Sequence, residues 1–219
     1  MGHTSIRVLA ACLGTLILFF GMLIFCLAQK PMTSSELDTM VKKFLSENRT
    51  EWRDWNIPYE DGKVLYDLIT ENNYRRALEI GTSTGHSGIW IAWALSKTNG
   101  RLITIEIDKD RYMRALVNFK KAGVEGFIDA KLADAHQLVK ELEGPFDFVF
   151  SDADKEWYIQ YFKDVDPKLV KEGCFTAHNV TDSFGGKEFL NYVRSLPNYQ
   201  TTIDRSSSSG ISISYKRTH

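Results

Sequence analysis

Four charged and polar residues in the second half of the chain have the types needed to bind a divalent cation and to move a proton. Asp152 and Lys155 closely follow an apolar run, and His178 and Asn179 follow another. Two oxygen ligands and one imidazole suit Mn or Zn better than Mg. A lysine beside a cation and partly removed from water can lose its proton near neutral pH, so Lys155 is the candidate general base. The alternatives are a surface salt bridge for Lys155 and a strand-end hydrogen bond for His178.

A glycine-containing turn earlier in the chain has the spacing of a nucleoside site. The apolar run 76–80 leads into Gly81, Ser83 and Gly85, and a second apolar run follows. Such a turn points backbone N–H groups at a ligand. A dinucleotide site uses G-x-G-x-x-G, but Ser83 holds the middle glycine position, so the pattern suits a nucleoside without a pyrophosphate, such as S-adenosylmethionine (SAM). Glu106 lies roughly 20 residues further on, where a carboxylate binds a ribose diol. The alternative is an ordinary turn with a surface acid.

The elements that must position these residues alternate between strand and helix, which predicts an α/β fold with a doubly wound, mostly parallel sheet. The predicted strands are 76–80, 102–107, 127–132, 146–151 and 174–177, with 199–204 and 210–216 as a closing antiparallel hairpin. The predicted helices between them are 87–96, 110–122, 136–142, 157–165 and 187–195. Ligands bind beyond the carboxyl ends of such strands, so the residues there should meet at one rim. Asp134 and Ala135 follow the third strand, although Asp134 could simply cap the next helix.

Composition fits one well-filled domain, residues 31–219, behind an N-terminal segment, residues 1–30. The chain has 219 residues, of which 43% are hydrophobic, and a formal net charge of -1. A chain of this size can bury a substantial core. It lacks the clustered basic excess of a nucleic-acid-binding protein, so no nucleic-acid partner is expected. Cys174 is the one cysteine in the domain, which excludes an internal disulfide and favours a buried strand position for it.

Residues 8–28 carry no charge and, at roughly 20 residues, are long enough to cross a bilayer as a helix. We favour an uncleaved single-pass anchor, because the apolar part of a signal peptide usually spans only about 7–15 residues. The alternative is a cleaved signal peptide, which would leave the domain secreted or periplasmic. Lys30, Lys42 and Lys43 follow the span and only Arg7 precedes it, so the positive-inside rule predicts a cytoplasmic domain at the membrane.

From about Ser35 to Lys216 the chain resembles the class I SAM-dependent O-methyltransferases of the catechol and caffeoyl-CoA type, including their bacterial relatives. The likeness rests on the segment from Leu78 to Ser87, on the strand that carries Glu106, and above all on the Asp-Ala-Asp-Lys element that ends at Lys155. It implies a Rossmann-like, seven-stranded sheet whose last two strands form an antiparallel pair. Members of this family often dimerise, so the resemblance implies a homodimer as the assembly to test.

The resemblance also assigns roles by position. The implied cofactor residues are Glu79, Gly81, Thr82, Ser83 and Ser87 at the methionine end of SAM, Glu106 at the ribose, Asp134 and Ala135 at the adenine, and Asp152 near the amine. Asp152 and Asn179 would bind a metal, and Lys155 would take the proton from the acceptor hydroxyl. The family's usual metal pair at the fifth strand is Asp-Asn, whereas this chain has His178-Asn179, with one negative charge fewer. Weaker Mg binding, a different metal such as Mn or Zn, and metal-free catalysis all remain open.

Together these features predict a membrane-tethered O-methyltransferase that moves a methyl group from SAM to a hydroxyl of a small, aromatic, catechol-like acceptor. Two other functions stay open from the sequence. One is an NAD(P)-dependent oxidoreductase on a similar sheet, which the missing middle glycine disfavours. The other is a non-catalytic, membrane-anchored module that binds SAM.

The charge rule for orientation is directly testable. Changing Lys30, Lys42 and Lys43 to Glu removes the positive bias after the apolar span, so we expect the topology to invert or become mixed. Protease accessibility of the domain in sealed vesicles measures this. An unchanged topology would contradict the use of the rule for this chain.

Overall fold

The computed structural model describes residues 32–52, 55–181 and 184–217, without the side chain of residue 184. The predicted membrane or signal helix at 8–28 lies outside these ranges. Within them, no helix is both long and apolar enough to cross a membrane. The described elements are α1 (Ser34–Glu47), α2 (Tyr59–Glu71), β1 (Arg76–Ile80), α3 (His86–Thr98), β2 (Arg101–Glu106), α4 (Lys109–Ala122), β3 (Ile128–Leu132), α5 (Ala135–Glu141), β4 (Phe146–Ser151), α6 (Tyr158–Val165), β5 (Leu169–His178), α7 (Phe184–Arg194), β6 (Tyr199–Asp204) and β7 (Ile211–Lys216).

The seven strands form one sheet in the order β3-β2-β1-β4-β5-β7-β6. Strands β1 to β5 pair in parallel, and β7 is antiparallel to both β5 and β6. The strand order reverses between β1 and β4, which is where ligands bind in open α/β sheets. This topology confirms the predicted mostly parallel sheet with a closing hairpin.

The register aligns the carboxyl ends of the central strands. Ile80 is paired with Ile105 on one side and with Ser151 on the other, and Ser151 is paired with Ala177. The residues that follow these positions therefore emerge side by side. The rim predicted from the sequence is confirmed, and it is fixed by backbone pairing in the middle of the sheet.

Both faces of the sheet are covered by helices, because successive side chains on a strand point to opposite faces. Leu78 packs in one core together with Phe162 of α6 and Phe189 of α7. Its neighbour Ala77 packs in a second core with Leu65 of α2. Packing on both faces explains why β1 and β4 are buried along most of their length instead of alternating between buried and exposed residues.

Most element boundaries lie within two residues of the prediction, and two starts differ by more than that for local reasons. Strand β5 was predicted to begin at residue 174 but begins at Leu169. Exposed Lys171 and Glu172 interrupt its apolar pattern, and Glu172 has a φ of 58°, which marks an irregular strand start. Helix α7 was predicted to begin at residue 187 but begins three residues earlier, across two glycines that lower helix propensity.

Gly62 tests the packing that holds α2 against α3. A Cβ on Gly62 would lie 2.2 Å from Nε1 of Trp90 in α3, and that indole already donates to Nε2 of His86 at 3.2 Å. We expect Gly62→Ala to lower the free energy of unfolding by about 1–3 kcal/mol despite alanine's higher helix propensity. Urea denaturation measures the change. In the control Gly126→Ala, where no heavy atom lies within 4 Å of the new Cβ, the shift should stay within about 0.5 kcal/mol. Equal losses in both variants would contradict the packing argument.

Candidate active site

A cavity of about 860 Å³ opens at the carboxyl ends of the central strands. Its size is that of a site for small molecules and cofactors. Of the residues chosen from the sequence, those that line it are Gly81, Ser83, Glu106, Asp134, Ala135, Asp152, Lys155, His178 and Asn179. Glu79, Thr82 and Ser87 are buried and lie outside its lining. The rim therefore brings together nine of the twelve predicted site residues, and the other three are buried next to it without lining the cavity.

The loop after β1 adopts a backbone shape that glycine alone can supply at its start. Gly81 has a φ of 98°, and a Cβ there would lie 2.9 Å from the backbone nitrogen of Ala153. Ser83 has a φ of 48°, and its N–H donates to Oε2 of Glu106 at 2.7 Å. The other oxygen of Glu106 accepts from the N–H of Asp108 at 2.9 Å. The carboxylate thus joins two loops, and an ionised carboxylate has capacity left for ligand hydroxyls.

Glu79 supports this loop from behind. Its side chain is fully buried, and Oε2 accepts from the hydroxyl of Thr104 at 2.5 Å, while Thr104 also lies 2.5 Å from the hydroxyl of Thr82. Burial raises the pKa of Glu79 to about 8, although hydrogen bonds from Ser87 and Thr104 oppose the shift. Its Oε1 has no hydrogen-bond partner among the described residues. Glu79 is therefore a protonated acid near neutral pH, and it braces the cavity wall rather than forming it.

One end of the cavity contains an aromatic and acidic cluster that the sequence did not reveal. Asp134 caps α5 by accepting from the N–H of His136 at 2.9 Å, and it also lines the cavity. The ring of His136 stacks on Trp157 with centroids 3.7 Å apart, and its Nε2 lies 2.9 Å from Oδ2 of Asp154. The hydroxyl of Tyr161 donates to the other oxygen of Asp154 at 2.7 Å. Asp154 is thus committed to this cluster and does not pair with the neighbouring lysine.

Next to this cluster along the chain, a line of four charged side chains extends from the cavity into the core. Lys155 Nζ donates to Oδ1 of Asp152 at 2.5 Å, and Nδ1 of His178 lies 3.3 Å from the same oxygen. Nε2 of His178 lies 2.8 Å from Oδ2 of Asp61, which also accepts from the hydroxyl of Ser207 at 2.8 Å. Asp61 is 1% exposed and His178 is 4% exposed. Asp61 was not predicted from the sequence as a site residue. It lies in the first turn of α2, far in sequence from the other three residues of this line.

The charges in this line stabilise one another. Burial alone would lower the pKa of His178, but the carboxylates of Asp152 and Asp61 outweigh it and raise the pKa to about 9. Burial alone would raise the pKa of Asp152, but His178 and Lys155 hold it below its usual value. His178 is therefore an imidazolium at neutral pH, placed between two carboxylates.

This arrangement does not fit the predicted set of metal ligands, Asp152, His178 and Asn179. An imidazolium has no lone pair to give to a cation, and Oδ1 of Asp152 already accepts from two donors. Across residues 32–52, 55–181 and 184–217, no group of three or more His, Cys, Asp or Glu side chains is placed to hold a metal ion. As the side chains stand, the donor set favours a hydrogen-bonded network over a divalent ion.

The loop before α2 also contributes to the lining of the cavity. Trp55, Asn56 and Pro58 line it together with Ser209 from the β6–β7 connection. The guanidinium of Arg111, which also lines the cavity, lies 4.3 Å from the Trp55 ring centroid. The sequence offered no spacing that could have identified these residues.

Comparison with known proteins gives consistent matches. A family model described as O-methyltransferase matches residues 31–186. The chain is similar to a flavonoid 3',5'-methyltransferase of Vitis vinifera, with 34% identity over 145 residues, 64% of this chain and 61% of that protein. It is also similar to a catechol O-methyltransferase of Niastella koreensis, with 42% identity over 106 residues, 47% of this chain and 48% of that protein. The matches thus span about half to three fifths of these relatives.

A solved structure extends the likeness to the fold. The chain superimposes on the O-methyltransferase TomG from Streptomyces achromogenes, a structure in complex with SAM, with a TM-score of 0.70 and 25% identity. The superposition covers 82% of this chain and 90% of TomG.

The buried acid Glu79 predicts a pH dependence of stability. Its folded pKa of about 8 lies above the ordinary value of 4.5. The contribution of Glu79 to the free energy of unfolding is therefore fully present below pH 4.5 and is lost as the pH rises through 8. Within this window the wild type should lose up to about 1.4 kcal/mol of unfolding free energy per pH unit, and we expect Glu79→Gln to abolish this loss. Urea unfolding of both proteins at pH 5, 6.5 and 8 measures the difference. The exposed control Glu125→Gln should follow the wild type; parallel curves for wild type and Glu79→Gln would refute the assignment.

Proposed function

Because the chain belongs to the O-methyltransferase family, we propose that it transfers the methyl group of SAM to a hydroxyl of a small, aromatic, catechol-like acceptor. The observation that carries this proposal is the single continuous cavity that joins the loop after β1 and Glu106 to Lys155. A nucleoside cofactor and an acceptor can occupy the two parts of this cavity at the same time. The flavonoid and catechol methyltransferases to which the chain is similar support the acceptor class.

The cofactor part of the cavity offers matching chemistry along its length. SAM supplies a methyl group that is activated by a positively charged sulfur. Glu106 would accept hydrogen bonds from the ribose hydroxyls, and Asp134 with Ala135 would border the adenine beside the His136 ring. Asp152 provides a negative charge towards the methionine end, where the ligand carries an ammonium and a sulfonium. Because Gly81 lacks a Cβ, the loop after β1 packs against the backbone of Ala153, and this close approach fixes the shape of this part of the wall.

The chemistry needs alignment and the removal of one proton. A phenol has a pKa of about 10, so only about 0.1% is ionised at pH 7, which costs about 4 kcal/mol for the free anion. In the proposed step Lys155 first releases a proton to solvent from its ion pair with Asp152. The acceptor oxygen then forms a bond to the methyl carbon, the carbon–sulfur bond breaks, and the hydroxyl proton passes to the freed amine of Lys155. A positioned base of this kind typically contributes about 10²- to 10⁴-fold in rate.

Lys155 is well placed for this role because its side chain is held but still reaches the cavity. Its Nζ lies 5.3 Å from the Tyr158 ring centroid and donates both to the carboxylate and, at 3.3 Å, to the backbone oxygen of Asp152. To accept a proton the amine must exchange one of these contacts for the acceptor oxygen.

The proposed function is tested by binding and by turnover. We expect calorimetry to detect binding of SAM and of S-adenosylhomocysteine but not of NAD, and we expect methyl transfer to members of a catechol panel. Lys155→Ala should lower kcat by about 10²- to 10⁴-fold while leaving the affinity for SAM nearly unchanged.

The matched control is Lys163→Ala, which removes an exposed lysine from α6 and should leave kcat unchanged. Binding of NAD alone would rule out the methyltransferase. An active wild type with an equally active Lys155→Ala variant would refute the role of Lys155 while leaving the reaction itself standing.

A further inference from the structure

We propose that the hydrogen-bonded chain Asp61–His178–Asp152 takes the place of a divalent cation in this protein, so that its methyl transfer needs no added metal. In this arrangement Asp61 and His178 are positioning residues, because they hold Asp152 and, through it, Lys155. The part that concerns turnover rests on the proposed function. The part that concerns cation binding does not, and the two are tested separately.

The first argument is the number of hydrogen-bond donors. The two nitrogens of His178 face two carboxylate oxygens, at 3.3 Å in Asp152 and at 2.8 Å in Asp61. A carboxylate at such a contact can only accept, so each ring nitrogen has to donate. A histidine that donates from both nitrogens has no lone pair left for a metal ion. Its position at the end of β5 therefore supplies a fixed positive charge instead of a ligand.

The second argument is charge balance in a buried place. Asp152 is 11% exposed in its side chain, and Asp61 and His178 are more deeply buried. Buried carboxylates are destabilising unless they are paired. His178 and Lys155 provide that pairing from within the chain. They neutralise the negative charge of Asp152, as a divalent ion bound there would.

The third argument is that several separate segments of the fold converge to hold His178 in place. Asp61 lies in the first turn of α2, where the helix dipole favours a negative charge. Its neighbour Gly62 packs directly against the Trp90 indole, which fixes this turn. Ser207 in the β6–β7 connection donates to the same oxygen of Asp61 as His178 contacts. The backbone oxygen of His178 accepts from the buried Tyr158 hydroxyl at 3.1 Å. A cation could replace this contact set only if the ring left both carboxylates.

Cation binding is measured first, by electron paramagnetic resonance of Mn²⁺ titrated into the full chain saturated with S-adenosylhomocysteine. We expect no stoichiometric Mn²⁺ site in the wild type or in Asp61→Asn. In the double variant His178→Asp with Asp61→Asn, an oxygen ligand replaces the ring and the buried carboxylate count stays the same, so we expect a site to appear. One Mn²⁺ per wild-type chain, lost in Asp152→Asn, would overturn the proposal. If the double variant fails to fold, the wild-type titration with its Asp152→Asn control decides alone.

Turnover is measured next, on the wild type with EDTA and with added Mg²⁺ or Mn²⁺. We expect the initial rates to agree within about twofold. A rate that is lost in EDTA and restored by a cation would overturn the proposal. If SAM binds but no acceptor is methylated under any condition, the proposed function fails, and the Mn²⁺ titration still decides the cation question.

The positioning role of Asp61 predicts a split between kinetic constants. Asp61→Asn should lower kcat by about 10-fold or more and change the KM for SAM by much less, because Asp61 lies behind the cavity and acts on Asp152 and Lys155 only through His178. The control Asp67→Asn alters a carboxylate of the same helix that pairs with Lys63 at the surface and should change neither constant. Equal changes of kcat and KM in Asp61→Asn, matched by a loss of thermal stability, would show a merely structural role and refute the positioning.

Discussion

The buried carboxylate of Asp152 is the constraint on which the rest of this site depends. It directly follows β4, the strand beside the reversal point of the sheet, and a carboxylate so far removed from water needs positive partners to stay ionised. Two positively charged donors contact Asp152: Lys155 from the turn that follows and His178 from the neighbouring strand. Because His178 in turn requires Asp61, the first turn of α2 is drawn into the same electrostatic unit. The helix layer, the sheet and the cavity are thus linked by charge as well as by apolar packing.

On the cofactor side of the cavity, the shape of the wall is set mainly by backbone conformation and by hydrogen bonds of backbone N–H groups. Gly81 lets the loop pass close to Ala153, and Ser83 holds a left-handed conformation that its hydrogen bond to Glu106 compensates. Behind the loop, Glu79 and Thr104 replace apolar packing with short hydrogen bonds. A rigid rim of this kind is pre-organised for a ligand, so little ordering has to accompany binding.

The fold was largely predictable because its signals are local. Strands 76–80, 146–151 and 199–204 match the observed bounds, since apolar runs bounded by turn residues suffice to define them. The start of β5 was not predictable, because Lys171 and Glu172 give it a polar surface pattern. Within the site, residue types and strand ends identified Lys155, Asp152 and His178. Asp61 was missed because an acid in the first turn of a helix is usually explained by its interaction with the helix dipole. The protonation of His178 was not predictable either, because it depends on Asp61, a neighbour more than one hundred residues away in sequence.

The short serine-rich connection between β6 and β7 is more than a hairpin turn. Ser207 donates to Asp61 and Ser209 lines the cavity, so this connection forms part of the cavity wall. The hairpin that completes the edge of the sheet therefore also contributes residues to the cavity. Grafting this connection from a related protein would exchange part of the cavity wall while leaving the central strands in place.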